Sequence, residues 1–334
     1  MVKSSSLALA VLLAGLSGTA HAQDKPVLTI YTYDGFASEW GPGVPLKEGF
    51  EANCECIVNW VAADSSIGTL RKVQLEGEST EADMILGLDT AIAGEARETG
   101  LFADHGLDMS HLDLPGEWTD AQFVPFDYSH FAFMWDTDTM DAPPASFEEL
   151  IALDDDIKIA IQDPRSATPG LGLLLWVKAA YGDRAPEIWE GLAPHILTIT
   201  REWSESYALF LDGEADMVLS YTTSPAYHIF DEGDHTIKAA LFEEGHFPQI
   251  EVAGILKSSD QQDLARDFLA FLTSAEGQAN IPTTNWMFPV VDLGGELDPA
   301  FQGLPQPDKT LVLDEAEITA NSAAWIDEML AAVQ

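Results

Sequence analysis

Short apolar runs alternate with longer segments of helical period along most of this chain. Residues 27–33, Val-Leu-Thr-Ile-Tyr-Thr-Tyr, are rich in β-branched and aromatic side chains and predict a strand. A helix is expected over 45–52, a second strand over 57–61 and a helix over 67–76. A third strand follows over 83–87, then a third helix over 89–98 closed by Gly100. The alternation resumes with strands near 157–161, 197–200 and 216–219 and helices at 170–181, 186–192 and 205–212. This spacing predicts parallel βαβ units. Between the two blocks lies 123–135, a long aromatic and β-branched run suited to a strand that crosses from one domain to another, and 247–256 reads as the return crossing. Helices at 260–273, 275–281 and about 316–333 complete the chain, with a surface loop at 294–309. The expected fold class is α/β, with two α/β lobes joined by crossing strands around a ligand cleft. Lobe 1 takes 23–127 and 252–334, and lobe 2 takes 128–251.

The N-terminus sets the expected compartment. Lys3 supplies a positive first region, residues 7–16 an apolar stretch too short to span a bilayer, and Ala20-His21-Ala22 a small-x-small cleavage signal. Residues 1–22 therefore read as a signal peptide, with the mature chain starting at Gln23 in the periplasm. A retained anchor would need a stop-transfer pattern, which is missing, and no lipobox-type Cys follows the apolar stretch.

The formal charge of the 334-residue chain is −41, and loss of Lys3 makes it −42. Such a field repels nucleic acid and draws cations toward a cleft, while also keeping the chain in solution. The acidic residues are spread rather than blocked, so no acidic tail is implied. Only two cysteines occur, Cys54 and Cys56, and an even pair in an oxidising compartment suggests a disulfide with a very small ring. A reduced pair binding metal would want a third ligand, and no His or further Cys lies nearby. The eight His residues show no ligand-like spacing, so neither metal nor cofactor is expected.

Ligands of open α/β sheets sit at the carboxyl ends of strands, so the chemistry is sought in the loops that follow them. Leu219-Ser220-Tyr221-Thr222-Thr223-Ser224-Pro225 closes a strand in small hydroxyl residues and opens toward a helix. Free backbone N–H groups at such a start suit an anionic group such as phosphate; the local alternative is an ordinary cap and loop. Thr168 and Ser204 open two further helices, beside Trp203 with its indole N–H. Trp40, Tyr227 and Trp286 offer π-faces, each worth roughly 0.5–2 kcal/mol against a cationic ring. Asp34 and Asp64 can balance a ring charge or accept from an amine. For each aromatic the competing role is core packing. Together the loops describe a site for a flat cationic ring with an anionic tail.

Several stretches resemble the family of bacterial periplasmic thiamine-binding proteins. They are Tyr31-Thr32-Tyr33-Asp34-Gly35-Phe36 with Trp40-Gly41-Pro42-Gly43, Gln162-Asp163-Pro164-Arg165 with 168–176, 219–228, and Ile281-Pro282-Thr283 with Asn285-Trp286-Met287. The resemblance runs from about residue 26 to 289. It implies a type II periplasmic-binding-protein fold and capture of thiamine, thiamine monophosphate or thiamine diphosphate. It also implies delivery to an ABC-transporter permease in the inner membrane. A monomer without catalytic residues is expected. The family's contacts fall on Ser65 and Ser66, on Ala167 and Thr168, on Trp203, on Tyr221, Thr222, Thr223 and Ser224, and on Tyr227 and Trp286. Two departures stand out: the family's Asp-Gly is Ser65-Ser66 here, with Asp64 the nearest carboxylate, and Ala167 lacks the family's hydroxyl. Two alternatives share the fold. A thiaminase-like enzyme would need a nucleophilic Cys beside a carboxylate base, and a ferric-ion-binding protein would want paired Tyr with His and carboxylate ligands.

Overall fold

The computed structural model describes residues 25–114 and 116–334; the signal peptide expected at 1–22 lies outside them. Ten strands form one mixed sheet. In chain order they are β1 (Val27–Tyr33), β2 (Ile57–Ala63), β3 (Met84–Asp89), β4 (Phe123–Asp136), β5 (Ile159–Gln162), β6 (Ile196–Thr200), β7 (Met217–Tyr221), β8 (Ile237–Ala239), β9 (Pro248–Ile255) and β10 (Phe288–Pro289). Their order across the sheet is β2-β1-β3-β9-β4-β7-β5-β6, with β8 and β10 also paired to β4.

β3 shows why these segments are strands. It is buried along its whole length, as expected of a strand covered on both faces. Met84 and Leu86 join Leu28, Ile30, Val58 and Phe268 in one apolar cluster, while Ile85 and Leu88 face another with Leu70, Val73 and Ile92. At Gly87, φ is +94° and the pairing with β9 slips by one residue. A Cβ there would stand 2.6 Å from the Tyr33 ring, so only glycine lets that ring lie against the strand. In the second half, Phe147, Trp176 and Phe242 pack with centroids 4.8–5.0 Å apart. The helix Thr168–Tyr181 is buried through Leu171–Val177, apolar on every side because other elements surround it.

The parallel pairing expected of βαβ units is present between β1 and both β2 and β3, and between β5 and both β6 and β7. The centre of the sheet differs. β9 is antiparallel to β3 and β4, and β4 is antiparallel to β7. A parallel neighbour needs a crossover that returns the chain to the same sheet end; the described residues between 99 and 122 carry no helix and deliver β4 from the other end. β4 is the crossing strand: Phe123–His130 pair with β9, and Phe131–Asp136 with β7 and β8.

Two helices also depart from expectation. The segment 275–281 splits into Ala275–Gln278 and Ile281–Thr284, with Pro282 in the first turn of the second, where its missing N–H costs nothing. The helix expected after Ser224 is one turn, Pro225–Tyr227, followed by a wide turn over His228–Glu232 that Gly233 ends at φ +65°. The last helix, Glu315–Val333, packs on Thr90–Glu98 and also on Thr168–Tyr181 and Ala185–Leu192. Arg97 holds its start through Glu315 (3.1 Å), and Lys178 reaches Glu328 at 2.6 Å. Cys54 and Cys56 are joined in a disulfide just before β2. Among the described residues no helix is long and apolar enough to cross a membrane.

Candidate functional site

Strand ends from both halves of the sheet meet beside β4 and β9. Trp286 is one of two non-glycine residues with positive φ among those described, at +57°. Such a backbone is disfavoured for a bulky residue and persists where surrounding structure imposes it, often at ligand sites. It aims the indole at Tyr227, centroids 5.2 Å apart, and at Phe230, 5.6 Å away. Tyr227 is half-buried, so this aromatic corner keeps exposed ring surface.

The turn after β7 is tied to Trp203. The Trp203 ring stacks on Tyr207 at 4.7 Å and its Nε1–H donates to Ser220 Oγ at 2.9 Å. Ser220 Oγ lies 2.7 Å from Ser224 Oγ, which accepts the Tyr221 N–H at 3.2 Å. Tyr221 stacks against Phe131 at 5.5 Å. Thr222 and Thr223 are fully buried, and their hydroxyls lie 3.1 and 3.0 Å from Ser129 Oγ. They hold the turn to β4, and most of its backbone amides are used within the fold: Thr222 N–H donates to His130 O at 2.9 Å, Ser224 N–H to Tyr221 O at 3.0 Å and Ala226 N–H to Thr223 O at 2.9 Å.

Two long helices begin nearby without a side-chain cap. Ala167 is the cap residue of Thr168–Tyr181, and Glu202 that of Trp203–Leu211. Their first-turn N–H groups carry partial positive charge and favour anions. Ser65 has a different task. It caps the helix Ser66–Glu76, accepting the Gly68 N–H at 3.0 Å, and Ser66 is buried in its first turn.

The acidic rim brings the two halves face to face. Asp64 Oδ2 lies 3.4 Å from Arg201 Nη2, both side chains largely in solvent. Glu202 is pushed up to about 7, by burial first and then by the charge of Asp34. Asp34 is itself exposed and accepts the Gly35 N–H at 2.7 Å. Trp40 is 69% exposed and its indole lies over Gly35. It makes no ring contact with Tyr227 or Trp286, so the structure sets it apart from that pair.

Six polar residues of this region were not among those expected: Tyr33, Asp89, Asp127, Gln249, Glu251 and Asn285. Tyr33 Oη lies 3.0 Å from Glu251 Oε2 and 3.1 Å from Asn285 Oδ1. Asn285 Nδ2 donates to Asp127 Oδ2 at 2.6 Å. Burial drives the Tyr33 and Tyr221 phenols well above their ordinary value, and the Glu251 charge adds to both. The sequence does carry a signal: Asp127 and Glu251 are carboxylates set inside otherwise apolar strands, where charge is rare without a task.

A mixed sheet with a central crossing strand, and a site of loops at the strand ends, defines a solute-binding protein. The pattern of the family described as bacterial extracellular solute-binding protein matches residues 46–292, and the chain belongs to that family. It is 48% identical over 318 residues to the thiamine-binding periplasmic protein of Brucella melitensis, covering 95% of each chain. Its identity to the thiamine-binding periplasmic protein of Escherichia coli is 47%, covering 94% of this chain and 96% of that one. A solved structure called periplasmic thiamin binding protein superposes with a TM-score of 0.89 at 47% identity, over 93% of this chain and 97% of that chain. The ferric binding protein from Campylobacter jejuni superposes at 0.74 with 18% identity, over 91% of this chain and 99% of that chain, a likeness of fold alone. The fold is thus that of the periplasmic binding proteins, and the protein is periplasmic. Both cysteines of the chain are in the disulfide, which leaves a thiaminase-like mechanism without its nucleophile.

Proposed function

We propose that this protein captures thiamine, its monophosphate or its diphosphate in the cleft and presents it to the permease of an ABC importer. The observation that carries this reading is the aromatic corner of Tyr227 and Trp286, in a chain 48% identical to a thiamine-binding relative. The rings suit a flat cationic heterocycle. The uncapped starts at Ala167 and Glu202 suit a phosphate tail. Asp34 and Asp64 are placed to balance charge at the rim, and Trp40 to cover it. The protein acts as a monomer and carries out no chemistry. Lobe 1 (23–127 and 252–334) and lobe 2 (128–251) close by bending at β4 and β9, and the permease reads the closed form.

Isothermal titration of ligand-stripped protein with thiamine, its two phosphates and pyridoxal phosphate tests this. Micromolar or tighter binding of a thiamine form, with weaker binding of pyridoxal phosphate, is expected. Failure of every thiamine form to bind below the high-micromolar range would overturn it.

A further inference from the structure

Glu251 on β9 stands directly opposite Asp89 on β3 and directly opposite Asp127 on β4. The three carboxylates therefore form a row across three neighbouring strands. They are 5%, 2% and 0% exposed. None of them is in a salt bridge among the described residues. The groups that face the row are neutral: Tyr33 from β1, Tyr221 from β7, Gln249 from β9, and Asn285 after the helix Ile281–Thr284. Gln249 Nε2 donates to Glu251 Oε1 at 3.2 Å, and Asp89 Oδ1 takes the Ala91 and Ile92 N–H groups. Asp89 Oδ2, Asp127 Oδ1 and the buried amide oxygen of Gln249 are left without a partner.

Three buried acids without a cation are costly, and unpaired acceptors beside them call for something positive that donates hydrogen bonds. The row also lies where ligands of open α/β sheets bind. Asp89, Tyr33 and Tyr221 are the last residues of β3, β1 and β7. We propose that Asp89, Glu251 and Asp127 form the charge-matching floor of the cleft, which receives the positively charged ring of the bound solute. This rests on the reading of the cleft as a thiamine site. In the free protein, protons take the cation's place. Burial lifts Asp89 to about 7 and Asp127 to about 8, and burial with the Asp127 charge lifts Glu251 well above the carboxylate range. When the cation arrives, a carboxyl O–H gives its proton to the buffer base and the carboxylate pairs with the ligand.

The test is titration calorimetry at pH 7.5 in buffers of different ionisation heat. The wild type, Glu251→Gln and Asp127→Asn are each titrated with thiamine and with deazathiamine, in which carbon replaces the quaternary nitrogen. Thiamine is expected to release protons on binding the wild type, seen as a buffer-dependent heat, and deazathiamine to release fewer. Each variant should bind thiamine at least about tenfold more weakly, release fewer protons, and hold deazathiamine within about threefold of wild type. A buffer-independent heat for thiamine, or equal losses for both ligands, would overturn the proposal while leaving thiamine binding intact. Absence of thiamine binding by the wild type would remove the parent reading as well. Should one variant fail to fold, the wild-type proton count and the other variant's affinities still decide between these outcomes.

Discussion

Trp286 meets Tyr227 edge-on, with ring centroids 5.2 Å apart and planes at 79°, from a backbone held at φ +57°. The strain and the ring geometry separate experimentally. Trp286→Ala deletes the indole but keeps the left-handed cost, whereas Trp286→Gly deletes both. Glycine at this position should be more stable than alanine by about 1 kcal/mol in thermal unfolding. Both variants should bind thiamine about 10- to 100-fold more weakly by calorimetry, the loss typical of a central aromatic anchor. Equal stabilities would mean the backbone relaxes there at no cost.

Trp203 contributes a stack on Tyr207 and one hydrogen bond to Ser220. Trp203→Phe keeps the stack and removes the donor, leaving the Ser220–Ser224 pair short of one partner. A stability loss of about 1 kcal/mol is expected in denaturant unfolding. A double-mutant cycle with Ser220→Ala should show coupling of similar size; additivity would mean the bond contributes nothing.

Asp127 makes stability depend on pH in an unusual direction. Its value rises from 3.8 to about 8 because the folded protein buries it. The folded state therefore holds the proton more tightly than the unfolded chain. The stability linked to this group is complete below about 4 and is lost as pH rises through about 8. Ligand-free protein should melt at a higher temperature at pH 5 than at pH 9, and Asp127→Asn should flatten that difference. An unchanged slope in the variant would show that the carboxyl does not carry the proton.

The Asp64–Arg201 contact spans the rim between the ends of β2 and β6, with both side chains largely exposed. Exposed pairs are typically worth no more than about 1 kcal/mol. Asp64→Asn should leave the melting temperature almost unchanged. If this carboxylate serves the ligand's amine, the variant should bind thiamine at least about tenfold more weakly. Wild-type affinity would assign Asp64 to the rim alone.

The Cys54–Cys56 link closes a ring of three residues. The chain-entropy relation gives such a small loop about 1.6 kcal/mol at most. Reduction should lower the melting temperature by only a few degrees and leave thiamine affinity unchanged. A collapse of folding on reduction would show that the link does more than hold the turn into β2.

Much of the molecule was readable along the chain because burial is a local pattern. The runs 83–87 and 170–181 read as a strand and a helix, and the structure places them in the strand Met84–Asp89, which starts one residue later, and within the helix Thr168–Tyr181. The loops after those strands, and the family resemblance they carry, located the aromatic corner at Tyr227 and Trp286. Direction and partnership were another matter. Nothing local told that β4 and β9 run against their neighbours, that Thr222 and Thr223 turn inward to Ser129, or that Ser65 serves its own helix. Asp89, Asp127 and Glu251 are far apart in the chain, and each alone reads as an isolated acid. Strand pairing sets them side by side, and because charge interactions depend on distance through space and on exclusion of water, their chemistry appears only once the sheet has closed.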